Sequence, residues 1–307
     1  MSRPDVIILG GPTASGKTSL AIALAEEIGG EIVGADSRQI YAGMSIGTAA
    51  PSASDRARIP HHLVEFLEPH VRYSAAQYVR DASAAIDEVI TRGRRPIVVG
   101  GTGFYLRALC GDVALATEPD RAIRERVERE AHMHPLDVLH AWLTALDPRR
   151  AAQIEPGDAY RIVRALEIAR SPDSTPKVLA ILPTLRERSR SFVKLALTAP
   201  LDVLHARIAT RTDAMLAAGF IEEAERIGTA AVAADAVGYR DALGYLAGHM
   251  TASDLRMLLA RSTRRYAKRQ FTWFRAEPEL NWLDATREPL VNALRAIART
   301  QASTIHD

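Results

Sequence analysis

The sequence contains one cysteine, Cys110. A lone thiol excludes an internal disulfide framework and any cysteine-based zinc site, and the neighbouring Leu106 and Leu109 assign it to packing. No run approaches the roughly 18 apolar residues needed to cross a bilayer. Met1-Ser2-Arg3-Pro4-Asp5 leads into a short core strand rather than a signal peptide. The expectation is a cytoplasmic protein without a membrane partner. Internal repeats and low-complexity tracts are missing, and no metal-ligating cluster is visible. Excess charge is scarce too. The 39 Lys and Arg against 37 Asp and Glu leave +2 over 307 residues. Net charge therefore argues neither for nor against nucleic acid, and only its distribution can.

What is present is an ordinary globular composition, 47% hydrophobic and 25% charged, long enough for one large domain or a core plus a smaller one. Its most informative stretch is Gly11-Pro12-Thr13-Ala14-Ser15-Gly16-Lys17-Thr18, directly after the apolar run 6–9. This spacing predicts a phosphate cradle. Glycines let backbone N–H groups point at phosphate oxygens, Lys17 adds a cation, the Thr18 hydroxyl can hold Mg²⁺, and the helix predicted over 19–28 brings its positive end.

Periodicity predicts short strands over 6–9, 31–35, 96–99, 193–197 and 280–283, with helices between the first three, as parallel βαβ units require. The fold class is α/β, a P-loop NTPase-like doubly wound parallel sheet. From 113 to 189 the pattern turns helical, over 121–132, 136–146 and 158–169, without a strand. This predicts a helical insertion domain at 113–189 within a core made of 1–112 and 190–307. Ser171-Pro172-Asp173-Ser174-Thr175-Pro176 reads as a loop, and Thr251-Ala252-Ser253-Asp254 as a helix cap.

Open α/β sheets bind ligands at the carboxyl ends of strands. Two loops fall there, Asp36-Ser37-Arg38-Gln39-Ile40-Tyr41 and Gly100-Gly101-Thr102-Gly103-Phe104-Tyr105. In an ATP-hydrolysing P-loop protein a strand usually ends in an acidic residue that supports Mg²⁺. Here the strand at 96–99 ends in Gly-Gly-Thr, which leaves Asp36 as metal support or base. His61 and His62, adjacent in extended chain, point to opposite sides and suit structural hydrogen bonds better than metal. Between Leu255 and Ala276 lie seven cationic residues and no carboxylate, with Tyr266, Phe271, Trp273 and Phe274 interleaved. Such a segment suits a polyanion through phosphate contacts and stacking. Packing against the core's own phosphate site is the rival use.

Taken in order, these pieces resemble the bacterial tRNA isopentenyltransferase family, the tRNA dimethylallyltransferases. The resemblance rests on residues 11–18, 36–41, Gly47-Thr48-Ala49, His61-His62-Leu63, Gly100-Gly101-Thr102-Gly103, Arg161-Ile162-Val163-Arg164-Ala165-Leu166-Glu167, Gly238-Tyr239-Arg240 and Tyr266-Ala267-Lys268-Arg269-Gln270. It spans almost the whole chain. It implies transfer of a dimethylallyl group from dimethylallyl diphosphate to the adenine just 3′ of a tRNA anticodon, with Mg²⁺ as cofactor. By position, Thr13, Ala14, Ser15, Gly16, Lys17 and Arg211 would bind the diphosphate, and Thr18 the metal. Thr102 would bond the bridging oxygen and Asp36 would act as base. Asp36, Ser37, Arg38 and Gln39 would meet the target base, which has to be flipped out to reach a buried diphosphate. Tyr160, Arg161, Arg164, Arg264 and Lys268 would contact tRNA. A monomer is the expected state. The chain departs from the family after Glu167, where Arg170-Ser171-Pro172-Asp173 stands in place of Thr-Gly-Lys-Pro. The alternatives are a prenyltransferase on free adenine nucleotides, which would not need the insertion or the basic segment, and a P-loop kinase or ATPase, which the missing acidic strand end disfavours.

Overall fold

Strands covered on both faces need continuous apolar runs, and the central strands have them. The computed structural model describes residues 4–113, 115, 121–171, 184–229 and 231–303. In it β1 (Val6–Gly10) is buried throughout and leads through the phosphate loop into α1 (Lys17–Ile28). Next come β2 (Gly30–Gly34), the short helices α2 (Ser45–Thr48) and α3 (Ala53–Arg58), and β3 (His61–His62). The first half closes with α4 (Ala75–Thr91), β4 (Arg95–Val99) and α5 (Gly103–Cys110). After the insertion follow β5 (Phe192–Thr198), β6 (Leu280–Asp284) and the helices between and beyond them.

The six strands form one parallel sheet in the order β3-β2-β4-β1-β5-β6. The chain leaves β1 toward one edge and returns to its other side at β5. That reversal is the switch point at which open sheets place ligands. Alternation along the strands divides the core. Ile7, Leu9, Ile32, Ile97 and Leu195 pack beneath α1 and the C-terminal helix. Ile8 points the other way and shares a small cavity with Leu106, Cys110, Trp273 and Phe274. Cys110 is buried there, as its neighbours suggested.

The insertion carries α6 (Arg121–Met133), α7 (Leu136–Leu146), α8 (Pro148–Ala151) and α9 (Ala159–Ala169) around its own core of Val127, Leu139, Leu143, Ile154, Ile162 and Leu166. The remaining helices belong to the larger unit: α10 (Leu201–Ala217), α11 (Phe220–Ile227), α12 (Tyr239–Leu246), α13 (Ala252–Arg275) and α14 (Pro289–Ser303). A capping box between Thr251 and Asp254 starts α13.

The chain divides into residues 1–112 with 182–307, and 113–181. The boundary expected at 189 comes several residues late. Residues 184–190 belong to the core: the Leu185 side chain is 1% exposed, and its N–H donates to the Leu109 carbonyl at 2.9 Å. A single turn has no periodicity that would separate it from an insertion. The expected loop at 171–176 lies, beyond Ser171, outside the described residues. The strand β3, two residues long, falls on the extended chain expected at His61 and His62, although it was not among the core strands predicted. Its histidines are structural: His61 Nδ1 lies 2.7 Å from the Ile59 carbonyl and His62 Nε2 lies 2.8 Å from Glu31.

Candidate active site

Between β1 and α1 the backbone makes the cradle that the motif predicts. Ala14 stands at φ 63°, a left-handed conformation costly for a residue with a β-carbon, ahead of Gly16 at φ 97°. The first N–H groups of α1 have no acceptor within the helix. Lys17 folds back, and its Nζ donates to the Pro12 carbonyl at 2.7 Å. Burial pushes its pKa down to about 8; the Asp36 carboxylate opposes this and Arg211 adds to it. Ser15 is fully buried and its hydroxyl has no partner among the described residues.

The second wall is the turn after β2, zipped to the loop after β4. Asp36 Oδ1 accepts from Arg38 N–H at 2.9 Å and Gln39 N–H at 3.4 Å. Thr102 Oγ1 accepts from Ser37 N–H at 2.9 Å. The carboxylate is thereby held by one oxygen, within electrostatic reach of Lys17, Arg211 and Tyr266. Burial lowers the pKa of Arg211 and raises that of Tyr266 well above its usual value, so the phenol stays protonated near neutral pH.

Helix α13 is the third wall. Gln270, 6% exposed, accepts from Thr13 N–H at 2.8 Å and donates to the Gly101 carbonyl at 2.9 Å. One amide thus ties the phosphate loop to the loop that carries Thr102. The approach is close: a β-carbon on Gly103 would lie 2.1 Å from the Trp273 ring. On the other side α10 braces the cradle, with Arg207 Nη1 donating to the Ser15 carbonyl at 3.1 Å. Arg211 follows one helical turn later.

The fold therefore gathers Thr13, Lys17, Asp36, Ser37, Thr102 and Arg211 around one space, and Arg38 and Gln39 belong to the same turn as Asp36. One expectation needs correction. Three of the four aromatic residues of the basic segment pack inward rather than form a stacking surface: Phe274 is 1% exposed, Phe271 packs on Trp282 and Arg275, and Trp273 packs on Phe274 and Arg107. The cations of that segment do form a face. Arg261, Arg264, Arg265 and Lys268, spaced i, i+3, i+4 and i+7, are exposed and have no carboxylate partner among the described residues. Helix α13 is thus both a packing helix and an exposed cationic stripe. In the insertion, Tyr160 is 81% exposed and Arg161 is exposed, but Arg164 is half-buried and donates to Glu167 at 2.8 Å. Arg164 is ion-paired within its own helix.

Sequence reasoning gave no role to Arg207, and read Tyr266 and Gln270 only as an interleaved aromatic and as the ends of the motif at 266–270. A signal existed for each. Arg207 and Arg211 are one turn apart, and Tyr266 and Gln270 share that spacing on the buried side of α13. Among the described residues, no group of three or more His, Cys, Asp or Glu could hold a metal, and no helix is long and apolar enough to cross a membrane.

Comparison with known proteins bears on the whole chain. It matches the IPP transferase family over residues 39–277 and the isopentenyl transferase family over 4–59. It is 41% identical over 288 residues to a tRNA dimethylallyltransferase of Geobacter sulfurreducens, covering 92% of this chain and 93% of that one. A tRNA dimethylallyltransferase of Anaeromyxobacter sp. strain Fw109-5 is 45% identical over 282 residues, covering 91% and 94%. Among solved structures, a tRNA isopentenylpyrophosphate transferase of Bacillus halodurans superposes with a TM-score of 0.70 at 32% identity, over 99% of this chain and 100% of that one. A eukaryotic dimethylallyltransferase acting on tRNA gives a TM-score of 0.78 at 26% identity, over 97% and 79%. Likeness that runs through both units and spans nearly the full length of its bacterial relatives leaves one conclusion, that the chain belongs to the IPP transferase family.

Proposed function

We propose that this protein moves the dimethylallyl group of dimethylallyl diphosphate to the N6 amine of the adenosine 3′-adjacent to a tRNA anticodon, releasing pyrophosphate. The observation that carries the reading is the placement of Asp36 beside Lys17 and Arg211, so that a proton acceptor and a polyphosphate cradle share one space. The N6 lone pair attacks the allylic carbon, the carbon–oxygen bond breaks toward the diphosphate, and a proton passes from nitrogen to Asp36. An adenine amine is a poor nucleophile because its lone pair is delocalised, so removal of that proton as the bond forms is what a carboxylate contributes. Charge building on the leaving oxygen meets the loop N–H groups, Lys17 and Arg211, with Thr102 at the bridging position. The donor set fits Mg²⁺, which takes few protein ligands and completes its shell with phosphate oxygens and water. Thr18 would hold it, and when bound it neutralises diphosphate charge.

The test is a transfer assay with labelled dimethylallyl diphosphate, comparing unmodified tRNA with AMP. Label in the tRNA adenine alone supports the reading, and label in AMP alone favours the free-nucleotide alternative. ATP consumption with no transfer means ordinary P-loop chemistry.

Two further outcomes follow from the geometry. Lys17 has its pKa lowered to about 8, so free enzyme carries that charge below pH 8 and loses it above. Diphosphate affinity is expected to weaken as pH rises past 8, with proton uptake on binding, visible as buffer-dependent heats in calorimetry. Lys17→Met should remove both the uptake and the pH dependence. Replacing Arg264, Arg265 and Lys268 together by alanine should weaken tRNA binding and reduce its log–log salt slope by up to about 3 units, roughly one per lost phosphate contact. An unchanged slope would assign the stripe to solvation alone.

A further inference from the structure

Gln39 is held in a way its sequence position did not reveal. Its Nε2 donates to the Thr48 carbonyl at 3.1 Å and to the Ala49 carbonyl at 3.0 Å. A primary amide has two N–H donors and one acceptor oxygen, and only its nitrogen can satisfy two carbonyls. Both donors are therefore engaged. Oε1 has no partner among the described residues, and the side chain is half-buried rather than enclosed. Gln39 has only an acceptor left to offer a ligand.

The carbonyls that engage it are fixed in turn. They close α2, a single turn of helix, and Ala49 takes the left-handed conformation at φ 51°. At the other end of that turn Glu223, on α11 and 1% exposed, accepts from Ile46 N–H at 2.9 Å and Gly47 N–H at 2.7 Å. Tyr239 on α12 donates its hydroxyl to the same carboxylate at 2.7 Å. A β-carbon at Gly47 would stand 2.5 Å from both the Phe220 ring and the Tyr239 hydroxyl, so the turn is seated against two other helices. The clamp runs from Tyr239 through Glu223 and α2 to the Gln39 amide.

We infer that Glu223 and Tyr239 are positioning residues for base selection: by fixing α2 they keep the Gln39 amide turned so that the target base has to present a hydrogen-bond donor. Adenine presents one, its exocyclic amine. Guanine and hypoxanthine carry a carbonyl oxygen at that ring position, which would face Gln39 acceptor to acceptor. The amine has two hydrogens, one for Gln39 and one for Asp36 three residues earlier in the same turn. This rests on the proposed contact between residues 36–39 and the target base.

The experiment measures dissociation constants of anticodon stem-loops that differ only in adenosine or inosine at the target position. Inosine has no amine to prenylate, so binding is the readout. Wild-type protein is expected to prefer adenosine by about tenfold, the worth of a made against a mismatched buried hydrogen bond. Glu223→Gln is expected to bring that ratio toward unity, and Tyr239→Phe partway. Both should leave the salt slope and the dimethylallyl diphosphate affinity unchanged. A purely structural Glu223 would lower the melting temperature and weaken both stem-loops in parallel with the ratio intact, which overturns the inference. If Glu223→Gln fails to fold, Tyr239→Phe, which removes one hydroxyl, decides. Equal binding of the two stem-loops by wild type overturns the acceptor-only reading. A Gln39→Ala protein with the wild-type ratio and turnover overturns it as well, and locates the failure in the contact of 36–39 with the base rather than in the clamp.

Discussion

Asp36→Asn is expected to lower the single-turnover rate of prenyl transfer by about 10²- to 10⁴-fold, the usual worth of a positioned general base. Asparagine retains an oxygen that can accept from the N–H groups of Arg38 and Gln39, so the turn survives and only proton acceptance is lost. Diphosphate should bind at least as tightly as before, because removing the carboxylate leaves Lys17 and Arg211 without a competing anion. Rapid-quench transfer at saturating tRNA and donor separates the two effects. A variant that keeps near-normal turnover would move the base elsewhere, and one that loses diphosphate binding would make Asp36 structural.

The largest stability change is expected at Lys194. This β5 side chain is 4% exposed and its ammonium lies 2.5 Å from Asp112 and 2.6 Å from Glu277. Burial pulls its pKa down, and the two carboxylates outweigh that and raise it. Removing the cation leaves two buried carboxylates, with Arg186 and Arg107 as their remaining partners. Breaking a buried pair in this way costs about 3–5 kcal/mol. At roughly 2–4 °C per kcal/mol for a chain of this size, Lys194→Ala should lower Tm by of order 10 °C. The deficit has a pH signature. Lys194 and Arg186 together outweigh burial and hold the Asp112 carboxyl below its usual value, so the stability that Lys194 adds through Asp112 is full at neutral pH and shrinks as pH falls through the carboxylate range. Denaturant midpoints at pH 7 and pH 3 check both the size and the sign. A deficit below about 1 kcal/mol at pH 7, the worth of an exposed pair, would mean that the arginines alone hold the carboxylates.

Local chemistry was legible in the sequence and tertiary rotation was not. The phosphate loop follows from eight consecutive residues, and β1, β2, β4 and β5 were expected within a few residues because buried parallel strands need apolar runs, whereas the edge strand β6, with Asn281 and Trp282 exposed, was expected from a weaker pattern over 280–283. The four-residue α8 carries too little pattern to be seen, and the two-residue β3 was legible only as extended chain at His61 and His62. Gln270 looked like one polar residue in a basic helix. Its role depends on the rotation of α13 about its axis, which apolar positions such as Leu255, Leu259, Ala267 and Phe274 set together. The same rotation turned Phe274 inward, which composition could not distinguish from a stacking surface. Arg164 stands three residues before Glu167, a pairing that helical spacing already allowed.

Gln270 on the inside of α13 and Arg264, Arg265 and Lys268 on its outside belong to one uninterrupted helix of 24 residues. Its phase is therefore shared property. A one-residue insertion or deletion between Lys268 and Gln270 would rotate one half against the other by about 100°. Either the amide would leave the phosphate loop or the cations would turn from their common face. Point substitutions can alter each face separately, but a change in length between them alters both, and within α13 the spacing is constrained more tightly than the identity of any exposed residue.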